Sequence, residues 1–429
     1  MWFQQRTLRD SGTRLGMTLI EMLVATTMTL IIMGVVAQLF GFVGNGVSAS
    51  RAALEMSAQL RAVSHTLRTD LGGITVETVP PVRVESDTGY LEIIEGVNTD
   101  TGTLTAPDSR LTGLNGDWDD VLMFTTESPG KPFVGSFGGS GNLIESPYAE
   151  VVWFCVPAAN QPVSGTTLYN LHRRQLLVIH YVGDGSSTFH GANSNSIATS
   201  LPVAYGNYDL SMRRDAGINR TFPNGLSDLT KRENRFLHNN SGTVSAAAFP
   251  YETTFLGNLA TDGPLSGSRV GEDIVLSNVL SFDVRVFDPN TEVKNHSVGG
   301  VAVTPGDPGY ASAASFSTPV YGCYVDIGVV GANTFASGNK DALSQLAGNI
   351  YDTWSTHYEA NGLDEDSAFG TDQLTNGQDD DGNGIVDDEQ ETSPPYPYPL
   401  RGIEVRIRVY EPSSRQVRQV TVRHTFVPH

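Results

Sequence analysis

Between residues 22 and 50 the chain has no charged side chain, and this uncharged run limits the possible folds more than any other feature of the 429 residues. Its apolar part, residues 17–43, holds 27 positions. At about 1.5 Å per residue these make a helix of roughly 40 Å, enough to cross a hydrocarbon core about 30 Å thick. A secretory signal has an apolar stretch of only about 7–15 residues before a cleavage site, so a spanning helix is the better reading. Ahead of the run, Arg6, Arg9 and Arg14 outweigh Asp10, giving residues 1–16 a charge of +2. Basic residues stay on the cytoplasmic side, which sends the carboxyl-terminal body across the membrane. Glu21 interrupts the apolar run one turn in. A carboxylate within a bilayer is costly and marks a position that needs a partner, whereas a plain anchor has no use for one.

The helical pattern continues past the span. Met56, Leu60, Val63, Leu67 and Leu71 follow one another at spacings of four, three, four and four, with Arg51, Arg61 and Arg68 mostly off that stripe. Gly72 and Gly73 then end it. The expectation is one helix over residues 17–71, half in membrane or filament core and half against a soluble domain.

Gly16 followed by Met17, Thr18, Leu19, Ile20, Glu21, Met22, Leu23 and Val24 resembles the cleavage and methylation motif of type IV prepilins and type II secretion pseudopilins. The usual Phe after the glycine is Met here. The resemblance implies that a prepilin peptidase/methyltransferase cuts between Gly16 and Met17 at the cytoplasmic face and methylates the new amino terminus. Glu21 then becomes the fifth residue of the mature chain, and Met17 of one subunit faces Glu21 of the next. Such a pair is stronger in low dielectric than in water. Because leaving either member alone is costly, it acts as a register device for stacked helices.

After Gly73 the pattern becomes alternating. Strand-like runs occur at 91–94, 121–125, 151–156, 176–178, 274–287 and 320–330, separated by Gly, Ser, Asn and Pro. The clearest hairpin is the last. Ile403, Val405, Ile407 and Val409 alternate with polar residues, residues 412–415 make the turn, and Val420, Val422 and Phe426 return. A leading helix followed by antiparallel strands gives an α+β fold, here pilin-like, with residues 1–16 as leader and 74–429 as an extracytoplasmic β-rich body. Residues 185–271 and 331–400 read as loop-rich insertions. Within the pilin-like group this body is most similar to the J-type minor pseudopilins, on the segments LRAVSHTLRTDLGG, LSNVLSFDVRVFD and residues 399–406. The W-type minor pilins of type IV pili share the outline.

The strongest chemical signal in the body is the run from Asp379 to Glu389. Side-chain oxygens fall at Asp379, Asp381, Asn383 and Asp387, glycine is sixth at Gly384, and Ile385 stands where a backbone carbonyl ligates. This resembles the calcium loop of EF-hand and dockerin-type modules. Its twelfth place is Gln390 rather than Glu, so either Glu389 or Glu391 substitutes or the site is a weaker one. Between Lys340 and Arg401 there are 14 acidic residues and no Lys or Arg. Without a cation that density favours a solvated acidic linker; Ca2+ would offset the repulsion. Asp87-Thr88-Gly89 and Asp100-Thr101-Gly102 mimic the paired motif of aspartic proteases, but they follow polar residues and read as turns. Cys155 and Cys323 lie in strand-like runs, where a single disulfide or two buried thiols are both open.

Net charge of −20 argues against a nucleic-acid partner, and the nine histidines show no metal-ligand spacing. The expectation is therefore a non-enzymatic filament subunit: a minor pseudopilin, single-pass in the inner membrane, whose partners are the peptidase, other pseudopilins and the assembly platform. A minor pilin that primes or caps a pilus is the first alternative. A membrane-tethered periplasmic enzyme is the second.

Overall fold

The structure, a computed structural model, describes residues 17–76, 88–96, 116–137, 142–163, 165–179, 204–206, 208–215, 220–231, 234–238, 259–296, 300–305, 307, 309–327, 350–354, 377, 386 and 400–426. It opens with one helix, α1 (Leu19–Gly72), of 54 residues. The chain divides into two compact units, 1–55 and 56–429, and α1 runs through the boundary.

In the first unit α1 is long and apolar enough to cross a membrane. Its large side chains are exposed on every side, from Met17 (63%) through Ile31 (66%) to Phe42 (79%). The hydroxyls of Thr26, Thr27 and Thr29 donate to carbonyl oxygens one turn back. These three hydroxyls are thus satisfied within the helix, as an apolar solvent demands.

In the second unit the stripe expected from the sequence is the buried one. Met56, Leu60, Val63, Leu67 and Leu71 all join the core. The helix stops where Gly73 crosses β2 (Val121–Glu127), and a Cβ at Gly73 would stand 2.2 Å from the Glu127 carbonyl oxygen. Close approach, beyond the loss of helix propensity, accounts for glycine there.

The body is built on a ten-stranded antiparallel sheet. Its main path runs β12 (Ile350–Asp352), β1 (Leu91–Ile94), β2, β5 (Tyr148–Pro157), β6 (Tyr169–Val178), β9 (Ile274–Asn295), β13 (Gly402–Glu411) and β14 (Gln416–Thr425). Two further strands, β10 (Ala302–Val303) and β11 (Ala314–Val325), also pair with β9. The remaining strands form two small hairpins, β3 (Phe133–Phe137) with β4 (Asn142–Ser146), and β7 (Met212–Asp215) with β8 (Arg220–Pro223). The fold is α+β, as expected, and the closing hairpin turns at 412–415.

The 22-residue β9 organises the sheet. Val279 pairs with both Val409 of β13 and Tyr169 of β6, and Val286 pairs with both Ile403 of β13 and Val325 of β11. A strand has two edges, so β6 and β11 occupy the same edge of β9, one after the other, opposite β13. Between them, residues 280–285 have no strand neighbour on that edge among the described residues. The segment leading into β2 fills this fork: Phe282 N–H donates to the Asp117 carbonyl at 2.9 Å, and Val284 N–H donates to Asp120 Oδ2 at 2.6 Å.

The stretches read as insertions also build the core. From 185–271, Tyr205, Leu229 and Phe236 are fully buried, and from 331–400 β12 becomes the edge strand and Trp354 is buried. Arg235 explains the polar look of this region. Its guanidinium is buried over the Tyr90 ring and donates to Glu92 Oε2 at 2.7 Å and Asp352 Oδ2 at 2.6 Å.

Candidate functional site

At the start of α1, Thr18 and Glu21 form a reciprocal cap. The Thr18 N–H donates to Glu21 Oε2 at 2.8 Å, the Thr18 hydroxyl donates to the same oxygen at 3.0 Å, and the Glu21 N–H lies 3.3 Å from the hydroxyl oxygen. This is the capping box of a Thr-x-x-Glu sequence, a local role for Glu21 that apolar patterning alone did not reveal. The Thr18 N–H belongs to the bond with Met17, so scission before Met17 leaves the cap intact. Gly16 lies outside the described residues, as do Asp379, Asp381, Asn383, Ile385, Asp387 and Glu389 of the calcium-loop-like run.

Cys155 and Cys323 are both free and buried. Cys155 on β5 is opposite Leu171 of β6, which in turn faces Leu276, whereas Cys323 faces Asp288, twelve residues further along β9. That offset is about 40 Å at 3.3 Å per residue, far beyond the Cα separation of under 7 Å that a disulfide allows. The bridge left open by the sequence is therefore ruled out. Burial pushes the Cys323 thiol up to about 12 and the Cys155 thiol well above its ordinary value.

A cluster of buried carboxylates sits in the fork of β9. Glu95 follows β1, Asp117 and Asp120 precede β2, Asp283 lies on β9, and Asp326 follows β11. All five are essentially inaccessible to solvent. Ligand oxygens of Glu95, Asp117 and Asp120 lie within 4.8 Å of one another, and so do those of Asp117, Asp283 and Asp326. Asp120 Oδ1 accepts the Gly96 N–H at 3.2 Å, and Glu95 Oε2 accepts the Ile327 N–H at 3.2 Å. Arg285 Nε stands 2.9 Å from Asp283 Oδ1 and 2.9 Å from Asp326 Oδ1. Burial, then the charges of Asp117 and Asp283, push the Asp120 carboxyl well above the usual carboxylate range, so it holds a proton that an exposed aspartate would lose. The sequence signal for this cluster was faint: Asp117, Asp119 and Asp120 crowd four positions just before a buried strand.

No protein family, curated protein or solved structure matches this chain.

Proposed function

We propose that the chain is a structural minor pseudopilin of a type II secretion-like machine. The peptidase removes residues 1–16 and methylates Met17. The mature protein then sits single-pass in the inner membrane with its body outside the cytoplasm, and joins other pseudopilins at a filament tip through α1. One observation carries the reading: an acidic side chain stands in the first turn of a helix whose apolar surface is uncovered all round. Such a surface needs lipid, neighbouring helices, or each in turn. The charge at Glu21 suits the second state, where a neighbour's new α-amino group supplies its partner. The docked half of the helix supports the same reading, since it ties the rod to a soluble domain.

The capping box supplies a discriminating test. Glu21→Gln keeps a side chain that can complete the cap and removes the charge. It should insert and accumulate normally yet lose cross-links to partner pseudopilins, as should Glu21→Val. Wild-type cross-linking by the Gln variant would refute the charge pairing.

A further inference from the structure

Strand β14 ends the main path of the sheet, and among the described residues its outer edge has no strand partner. Every second residue of an edge strand turns its N–H and C=O away from the ladder, which makes a template for a further strand. Folded proteins guard such edges by keeping them short, bulged or broken by proline. The opposite edge is guarded in this way, since β12 has three residues. β14 is not. It has ten residues, pairs with β13 in unbroken register from Gln416 to Thr425, and contains neither Pro nor Gly.

The charge at this edge is of one sign. β14 carries Arg418 and Arg423 and no acid. A groove of about 720 Å3 opens here, lined by Gln419, Thr421 and Arg423 of β14, Arg406 and Arg408 of β13, and the exposed Arg68 of α1. The three β14 residues alternate along the strand and so share one face, whereas Val420 and Val422 pack on the core. Acids lie beneath the arginines. Glu404 is fully buried and accepts from Nε of both Arg406 and Arg423. Asp283, opposite Arg406 on β9, is equally buried and paired with Arg285. Two guanidinium forks carry more donors than one carboxylate accepts, and the Arg423 side chain is 64% exposed. Asp307, at the rim, stays 3.9 Å from Arg406 Nη1. The guanidiniums therefore face the solvent, on a chain whose net charge is −20. Two copies of this edge laid together would bring arginines together, so charge bars self-pairing and selects an acidic partner.

We propose that β14 receives an extended segment of another protein chain, which adds one strand to the sheet and carries carboxylates at alternate positions. The carboxylates lie over the groove, against Arg68 and Arg423. The intervening side chains are apolar and continue the surface begun by Val420 and Val422. Main-chain hydrogen bonds along the edge supply attraction, and the carboxylates supply selection. The inference depends on neither the leader nor the filament assignment.

The test uses the full-length protein in detergent and a labelled peptide of alternating glutamate and valine, about as long as β14. Fluorescence anisotropy should show saturable binding at low salt that weakens as salt rises, even though the overall charge of the protein repels the peptide. The glutamine–valine counterpart should bind about tenfold more weakly or worse. Arg68→Gln combined with Arg423→Gln should weaken the acidic peptide about fivefold. Hydrogen exchange should slow at the edge-facing amides of β14 when the peptide binds. Should the double variant fail to fold, two N-methylated acidic peptides are compared on wild type instead. Blocking one alternate set of peptide nitrogens should abolish binding, and blocking the other should leave it within about twofold. No binding of the acidic peptide, equal binding of the neutral one, or equal effects of the two methylation patterns would refute the proposal. Edge-facing β14 amides already slow before the peptide is added would mean that a second copy or another part of the chain holds the edge, and would overturn it too.

Discussion

Asp70, in the last turn of α1, is a buried polar fastening between the helix and the sheet, and its removal should be among the most damaging single changes outside the apolar core. Oδ2 accepts the Arg173 Nε–H at 2.7 Å and the Trp153 indole N–H at 3.1 Å, and Oδ1 accepts Arg173 Nη2 at 2.8 Å. The Asp70 side chain is 3% exposed and that of Arg173 13%. Asp70→Ala leaves a guanidinium with Gln175 at 3.0 Å and an indole N–H stripped of its acceptor. Breaking a buried pair by removing one partner costs about 3–5 kcal/mol, and an orphaned indole adds about 1 kcal/mol. Because Arg173 keeps Gln175 and some access to water, the lower part of that range applies, about 3–4 kcal/mol. Urea unfolding of the full-length protein in detergent, followed by tryptophan fluorescence, measures it. Arg173→Met combined with Asp70→Ala should cost at least about 1.5 kcal/mol less than the sum of the single changes, because contacting charges couple. A single loss below about 1 kcal/mol, the value of an exposed pair, or strict additivity, would refute the fastening.

Two further outcomes follow from the same packing. Gly73→Ala places a Cβ 2.2 Å from the Glu127 carbonyl oxygen and should destabilise the body by about 1–3 kcal/mol, against no measurable change at exposed Gly130, where a Cβ meets nothing within 4 Å; thermal unfolding of both variants checks this. Glu150 is buried among donors from Tyr90, Ser211 and the Phe236 N–H, and burial raises its pKa above 4.5 in the folded protein. The folded state therefore holds that proton more tightly than the unfolded state. The stability it confers is complete below pH 4.5 and is lost as pH rises through the folded value. Glu150→Gln should flatten that fall, and equal slopes of stability against pH in the two proteins would contradict it.

Legibility followed the range of the interactions involved. The stripe from Met56 to Leu71 and the closing hairpin were readable because their periods are local. Strand β9 was expected to end at residue 287 but runs to Asn295 through Pro289. The ladder with β11 is irregular there, between Asp288 and Glu292, so no bond is asked of the proline. The segment around Arg235 looked like polar loop because its charges are answered by Glu92 and Asp352, 143 and 117 residues away, beyond any sequence window. The acidic cluster drew on four separated segments, and only the topology of β9 brings them together. Glu21 was legible as an anomaly from composition alone. Its cap with Thr18 is also written in the sequence, as a threonine three residues before a glutamate, within a run whose apolar pattern carries no sign of a cap.

The most direct test of the central claim is the intact mass of the protein purified from its own membrane. Removal of residues 1–16 together with one added methyl group on the amine of Met17 is the expected result, and Gly16→Ala should retain the leader. A native chain that still begins at Met1, or a Gly16→Ala variant trimmed like wild type, would contradict the filament-subunit account.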